Sequence, residues 1–176
     1  MKSLKICLVL LLACFPVLLS AQAKPDTSKI NFIKAQFVDV NSHISTYKTV
    51  HRNDMGLTTE GGEATAYFDG NDLKKILSVF YGETGRVTLE YYFQNGKLIF
   101  FYKIDYFYNW PFNVAGGGKI VSTTEGRYYF DGSNIIKYIN KPQKALSATS
   151  LNKEAKEDLT EVARLVKLIN NKDEEE

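Results

Sequence analysis

Apolar and polar positions alternate with a period of two through the middle of the chain and recur every three to four residues near both ends. From Thr88 to Tyr108 the stretch TLEYYFQNGKLIFFYKIDYFY reads as two strands about a Gln94-Asn95-Gly96-Lys97 turn. Asn-Gly between alternating apolar runs is the strongest short-range hairpin signal. The unit recurs: Ala66-Tyr67-Phe68 precedes Asp69-Gly70-Asn71-Asp72 and Leu73, and Tyr128-Tyr129-Phe130 precedes Asp131-Gly132-Ser133-Asn134 and Ile135. Such self-similarity marks a repeated supersecondary unit. Alternation then sorts the faces. Phe68, Phe93 and Phe130 fall with Leu73, Leu98 and Ile135, and with Ala66, Tyr91 and Tyr128, on a face that reads as core. Tyr67, Tyr92 and Tyr129 fall on the other, beside Thr65, Glu90 and Arg127, with Lys74, Ile99 and Ile136 as partners across the turns. A slip of one residue would exchange the two lists.

Ile30, Ile33, Phe37, Val40, Ile44 and Tyr47 step by three and four, which predicts an amphipathic helix over Ser28–Val50. Thr27 or Ser28 can cap it, and Arg52-Asn53-Asp54-Met55-Gly56 ends it. Leu151, Ala155, Leu159, Val162, Val166 and Ile169 predict a second helix, with Ser150 as cap and Asn170-Asn171 as stop. Strands are expected over Glu63–Phe68, Leu73–Tyr81, Arg86–Phe93, Leu98–Tyr108, Lys119–Phe130 and Ile135–Ile139. Trp110-Pro111 and Gly116-Gly117-Gly118 mark an irregular loop. The expected class is α+β: a single antiparallel meander sheet of about six strands, flanked by N- and C-terminal amphipathic helices.

The N-terminus changes the picture of where the chain works. A basic start with Lys2 and Lys5, the apolar run Ile6–Leu19, and Ala21 and Ala23 in an A-x-A arrangement read as a secretory signal peptide over residues 1–23. Cleavage is expected after Ala23, with Ala21 as the alternative. That leaves residues 24–176 as a single exported domain, periplasmic or secreted. Leu11-Leu12-Ala13-Cys14 offers a competing reading as a lipobox, in which acylated Cys14 anchors the protein to the envelope. Both cysteines, Cys7 and Cys14, lie within this segment, so no disulfide is expected in the mature chain. Without Lys2 and Lys5 the remainder carries 20 basic against 20 acidic residues. A zero balance argues against nucleic acid as a partner and leaves membrane contact to lipidation at Cys14.

Candidate chemistry is sparse. His43 and His51 are eight apart with no further ligand motif, so no metal is expected. Gly116-Gly117-Gly118-Lys119 lacks the spacing of a phosphate loop, with Ile120 where a magnesium-binding hydroxyl belongs. Asp69-Gly70-Asn71-Asp72 and Asp131-Gly132-Ser133-Asn134 lack the glutamate at position twelve of a calcium loop, and their composition is what tight turns demand. No cofactor is implied. Glu60, Glu63 and Glu83 supply the carboxylates an envelope hydrolase would need, without a motif that fixes their separation. The informative excess is aromatic: Tyr102, Tyr106, Phe107, Tyr108, Trp110 and Phe112 crowd the end of the longest strand and its loop. Tyr and Trp join apolar area to a polar handle, which suits recognition surfaces.

Thr59-Glu60-Gly61-Gly62-Glu63, Tyr81-Gly82-Glu83-Thr84-Gly85, Glu90-Tyr91-Tyr92-Phe93 with Asn95-Gly96-Lys97-Leu98, and Arg127-Tyr128-Tyr129-Phe130 resemble small exported bacterial proteins of unknown function. The resemblance spans Thr59 to Ile139. It implies an exported bacterial protein with a repeated-hairpin sheet and brings no catalytic residue. The expectation from these features together is a non-enzymatic binding module for a protein or glycan. Its surface would comprise Tyr67, Glu90, Tyr92, Phe101, Lys103, Arg127 and Tyr129, with Trp110 at the rim. The alternatives are the hydrolase and a structural homo-oligomer joined through the sheet face.

Overall fold

The computed structural model of the protein describes residues 27–55, 58–141 and 146–171. The expected signal segment, with Cys14, Ala21 and Ala23, lies outside the described residues, as do Gly56, Pro142 and the acidic tail after Asn171. The described chain is α+β. Helix α1 (Thr27–Ser42) and a short 3-10 turn (Ile44–Thr46) lead into β1 (Lys48–Asn53). There follow β2 (Gly62–Asp69), β3 (Asp72–Gly82), β4 (Gly85–Gln94), β5 (Lys97–Tyr108), β6 (Ile120–Asp131) and β7 (Asn134–Lys141), and then helix α2 (Ala148–Asn170). The strands form one antiparallel sheet of seven in sequence order.

The seventh strand is β1, which joins Lys48 to Val50, expected to be helical, to Arg52 and Asn53, expected in the segment that ends the helix. Ile44 and Tyr47 continue the helical spacing, but the chain leaves the helix at Ser42. There Asn41 donates its side-chain amide to the Phe37 carbonyl (2.8 Å), and Ser42 Oγ donates to the Asp39 carbonyl (2.8 Å). Short polar side chains that bond nearby carbonyls compete with helix propagation. Lys48–Asn53 then alternates, with Val50 and Arg52 more buried than Lys48, Thr49, His51 and Asn53. At the other end of the chain α2 starts earlier than expected. Ser147, not Ser150, is its cap, and its Oγ accepts from the Ser150 backbone N–H (3.1 Å).

The three hairpins β2–β3, β4–β5 and β6–β7 share one register. Phe68, Phe93 and Phe130 face Leu73, Leu98 and Ile135, and in each hairpin the register shifts beside that pair. The turns have the mirror-image geometry that suits twisted hairpins. Asn95 and Gly96 both hold positive φ, whereas Gly70 and Gly132 hold it alone as the first central residue. The shift is a β-bulge: Lys74, Ile99 and Ile136 are the extra residues. The tyrosines therefore pair with Lys75, Phe100 and Lys137, not with the residues expected.

Beyond the bulges a single row crosses all seven strands: Val50, Ala66, Ile76, Tyr91, Phe101, Tyr128 and Tyr138. Its rings stack as a ladder, with Tyr91 4.7 Å from Phe101, Phe101 5.1 Å from Tyr128 and Tyr128 4.7 Å from Tyr138. Helix α2 packs on this row through Ala155, Val162, Leu165 and Ile169 and reaches from β7 to β1. Val162, Leu165 and Ile169 each contribute about 1.5–3 kcal/mol on burial, and Ala155 less. At the β1 end Arg164 donates to both oxygens of Asp54 (2.9 and 2.5 Å) and to Glu161, while Arg52 donates to the Asn171 carbonyl (3.1 Å). The apolar list read from the repeats is thus the α2 core.

Candidate binding surface

The opposite face of the sheet carries the tyrosines. Its first row is Thr49, Tyr67, Lys75, Tyr92, Phe100, Tyr129 and Lys137. Helix α1 lies on this row through Ile30, Ile33, Phe37 and Val40, in a cluster of its own with Tyr92, Phe100 and Tyr129. Phe37 meets the rings of Tyr92 (5.1 Å) and Phe100 (5.5 Å). Tyr92 is 1% exposed and Tyr129 4%, so neither presents a ring to a partner. This corrects the expectation of an open tyrosine row: the alternation assigns the face, and α1 closes it.

Burial of Tyr92 brings polar groups with it. Its hydroxyl donates to Glu90 Oε2, which also accepts from Lys75 Nζ (2.9 Å), while Asn41 of α1 donates to the Tyr92 hydroxyl (3.0 Å) and accepts from Lys75 (3.1 Å). Lys75 is 6% exposed, with its ammonium 4.9 Å from the Tyr92 ring centroid. Burial, then the Glu90 carboxylate, push the Tyr92 phenol well up, so it stays protonated and donates. Glu90, expected on the binding surface, is instead held in this network. Lys75 and Asn41 are the members that sequence reasoning missed. Counting by twos across the turn puts Lys74 opposite Tyr67, whereas the bulge brings Lys75 into the row and α1 covers it.

The bulges displace two more of the expected residues. Counting by twos from Ile99 puts Phe101 and Lys103 on the tyrosine face, but the extra residue turns them over. Phe101 is 3% exposed under α2. Lys103 lies on the α2 face, in a cleft of about 620 Å³ with Glu154, Glu157, Asp158 and Glu161, and pairs with Asp105 (3.2 Å).

The tyrosine face continues past the cover of α1. Its second row is His51, Thr65, Leu77, Glu90, Tyr102, Arg127 and Ile139, and its third includes Glu63, Val79, Thr88, Ile104 and Glu125. Beyond them Tyr81, Arg86, Tyr106 and Thr123 align. Leu77, Val79, Thr88, Ile104 and Tyr106 are partly exposed, as is Tyr67 in the first row. Arg127 stands at the boundary, paired with Glu125 (3.0 Å) and lying over the Tyr102 ring (5.2 Å). Arg86 likewise lies over Tyr106 (4.5 Å). Between α1 and this boundary is a cavity of about 320 Å³ lined by Ile33, Phe37, Phe100, Tyr102 and Tyr129, with Lys34 and Arg127 at its edge. Pockets that hold small groups start at about this size. The helix residues of this cavity were not legible beforehand, since a helix stripe alone does not say which strand it meets.

The remaining candidates lie at the other end of the strands from the hairpin turns. Trp110 is 67% exposed in the β5–β6 loop. Glu60 and Glu83 are exposed in connecting segments, and Glu63 accepts a hydrogen bond from the Tyr81 hydroxyl (2.8 Å). None of the three lines a cavity described above. His43 bonds the Asp39 carbonyl and His51 the Thr65 hydroxyl. Among the described residues no group of three or more His, Cys, Asp or Glu side chains is placed to hold a metal ion. Compared with known families, curated proteins and solved structures, the chain matches none.

Proposed function

We propose that the protein is an exported, non-enzymatic binding module that holds a protein partner on the part of the tyrosine face beside α1. The observation that carries this reading is the boundary itself. Apolar Ile104 is left partly exposed one row beyond Tyr102 and Arg127, which line a cavity between a helix and the sheet, and Leu77 and Val79 extend the partly exposed apolar area two strands away on β3. Arg127, Glu125 and Arg86 surround them, an apolar centre with a charged rim as protein interfaces have. An apolar side chain of the partner would fill the cavity as an anchor, and an acidic group beside it would meet Lys34 and Arg127. A glycan fits less well. Sugars stack on open ring faces, and the rings of Tyr102 and Tyr106 are already covered by guanidinium groups.

The test is photo-crosslinking in the producing cell from p-benzoylphenylalanine at Ile104 on the face or at Val38, an exposed residue of α1 that also lines the cavity, with Lys156 on α2 as control. The expected result is one protein adduct from these two positions and none from Lys156, reduced by Arg127→Ala. Adducts only with a second copy of the chain would make the face a homo-oligomer interface. No protein adduct at either position would sink the reading.

A further inference from the structure

Six large apolar side chains between residues 107 and 121 face solvent: Phe107 (45% exposed), Trp110, Phe112 (52%), Val114 (47%), Ile120 (49%) and Val121 (64%). They belong to the end of β5, the connecting loop and the start of β6. Soluble surfaces rarely gather so many exposed large apolar side chains in one connection without a use for them. Three further features indicate what this end meets.

The loop is built, not loose. Asn109 donates its backbone N–H to the Lys119 carbonyl (2.9 Å), and its side chain joins the Gly116 carbonyl (3.1 Å) to the Lys119 backbone N–H (3.0 Å). Gly118 N–H donates to Trp110 (3.2 Å), Gly117 to Val114 (2.9 Å), Val114 to Pro111 (3.2 Å) and Phe112 to Glu83 (3.0 Å). Many of the loop's backbone N–H groups are therefore already bonded within the protein, which lowers the cost of taking them out of water. The charge pattern is equally specific. From Asp105 to Glu125 the sequence contains no other carboxylate and a single cation, Lys119. Finally, these residues sit at the end of the sheet away from the three hairpin turns, and none of them lines either cavity described above. A tip offering Trp, Tyr and Phe with one lysine has the composition that settles at the boundary between lipid headgroups and acyl chains.

We infer that the β5–β6 loop is a membrane-docking tip that inserts Trp110, Phe112 and Val114 into the interfacial layer of a lipid bilayer. The attraction is apolar burial, not charge, so docking is expected on neutral and anionic lipids alike and with little dependence on salt. The tip lies off the surface assigned to the protein partner, and the inference stands apart from that reading.

Trp110 is the single tryptophan of the chain and reports on the tip directly. The full chain, as it is exported, is titrated with phosphatidylcholine vesicles and, separately, with phosphatidylglycerol vesicles. The expected result is a blue shift of Trp110 emission with both, and quenching when the acyl chains are brominated. The double substitution Phe112→Asp with Val114→Asp, at exposed positions, is expected to abolish both signals while leaving the melting temperature unchanged. Several outcomes overturn the inference. One is a chain that sediments with vesicles without any change at Trp110, as docking through the N-terminal segment would give. Others are a shift confined to phosphatidylglycerol and removed by salt, or a shift that grows with protein concentration alone, which would assign the tip to self-association.

Discussion

The two faces of the sheet are built on one alternation but closed to different extents. On one, α2 reaches from β7 to β1 over a seven-strand apolar row, and Arg164 locks its far end to Asp54. On the other, the shorter α1 covers the row of Tyr92, Phe100 and Tyr129, with Tyr102 and Ile139 at the edge of its cluster. The difference lies in what the rows contain. The α2 row is aliphatic and aromatic, with no charged side chain, and gains from burial. The second row of the tyrosine face mixes Leu77 and Ile139 with Glu90, Arg127 and His51, which a helix would have to desolvate. Cover ends where its cost rises, and the exposed remainder is the surface proposed for a partner.

That contrast can be broken from the α2 side first. Leu165→Ala, at a fully buried position of α2, is expected to cost about 3–5 kcal/mol in chemical denaturation, and Ile33→Ala, on the sheet side of α1, about 2 kcal/mol. Equal losses would mean that the faces are equally closed. Arg164→Ala should cost about 2 kcal/mol, because it removes two charge-assisted hydrogen bonds to the buried Asp54 carboxylate. An unchanged denaturation midpoint would show that the lock contributes little.

The third effect depends on pH. Burial first, then Glu154 and Glu157, hold the Asp158 carboxyl up to about 7, with Lys103 pulling the other way. The folded chain therefore keeps a proton that the unfolded chain releases near pH 4, so this group favours folding in acid. Its contribution is lost as pH rises from about 4 to about 7. Asp158→Asn should raise stability by about 2 kcal/mol at pH 8 and leave it nearly unchanged at pH 4, read from melting curves across that range. A gain of the same size at both values would contradict the assignment. Glu90→Gln weakens the contact with Lys75 under α1 and should cost about 1–2 kcal/mol, against no loss if Glu90 faced solvent. Smallest is Arg127→Ala. Its exposed pair with Glu125 is worth under about 1 kcal/mol, so binding should fall while the melting temperature hardly moves.

The fold was largely legible because three turns carry strong chemistry. Asn95-Gly96, Gly70 and Gly132 set the hairpins, and the Phe–Leu and Phe–Ile pairs across them fall where the repeats put them. The bulges were not legible. Nothing in Leu98-Ile99-Phe100 marks the extra residue, yet it alone decides that Phe101 and Lys103 face α2. The end of α1 was hidden for a similar reason: Ile44 and Tyr47 keep the helical spacing, and only side-chain bonds to the Phe37 and Asp39 carbonyls end the helix. Of the expected binding residues, Arg127 and Tyr67 stay partly exposed on the tyrosine face and Trp110 is open to solvent. Tyr92, Tyr129 and Phe101 are core, because cover by a helix is a property of the assembled layers and not of any one strand.

The division of the tyrosine face into a covered row and an exposed remainder is tested most directly by hydroxyl-radical footprinting of the folded chain, read residue by residue. Protection of Tyr92 and Tyr129, with ready labelling of Tyr81 and intermediate labelling of Tyr102 and Tyr106, is the predicted result. Labelling of Tyr92 and Tyr129 as fast as Tyr81 would mean that α1 does not close the row, and would contradict the account.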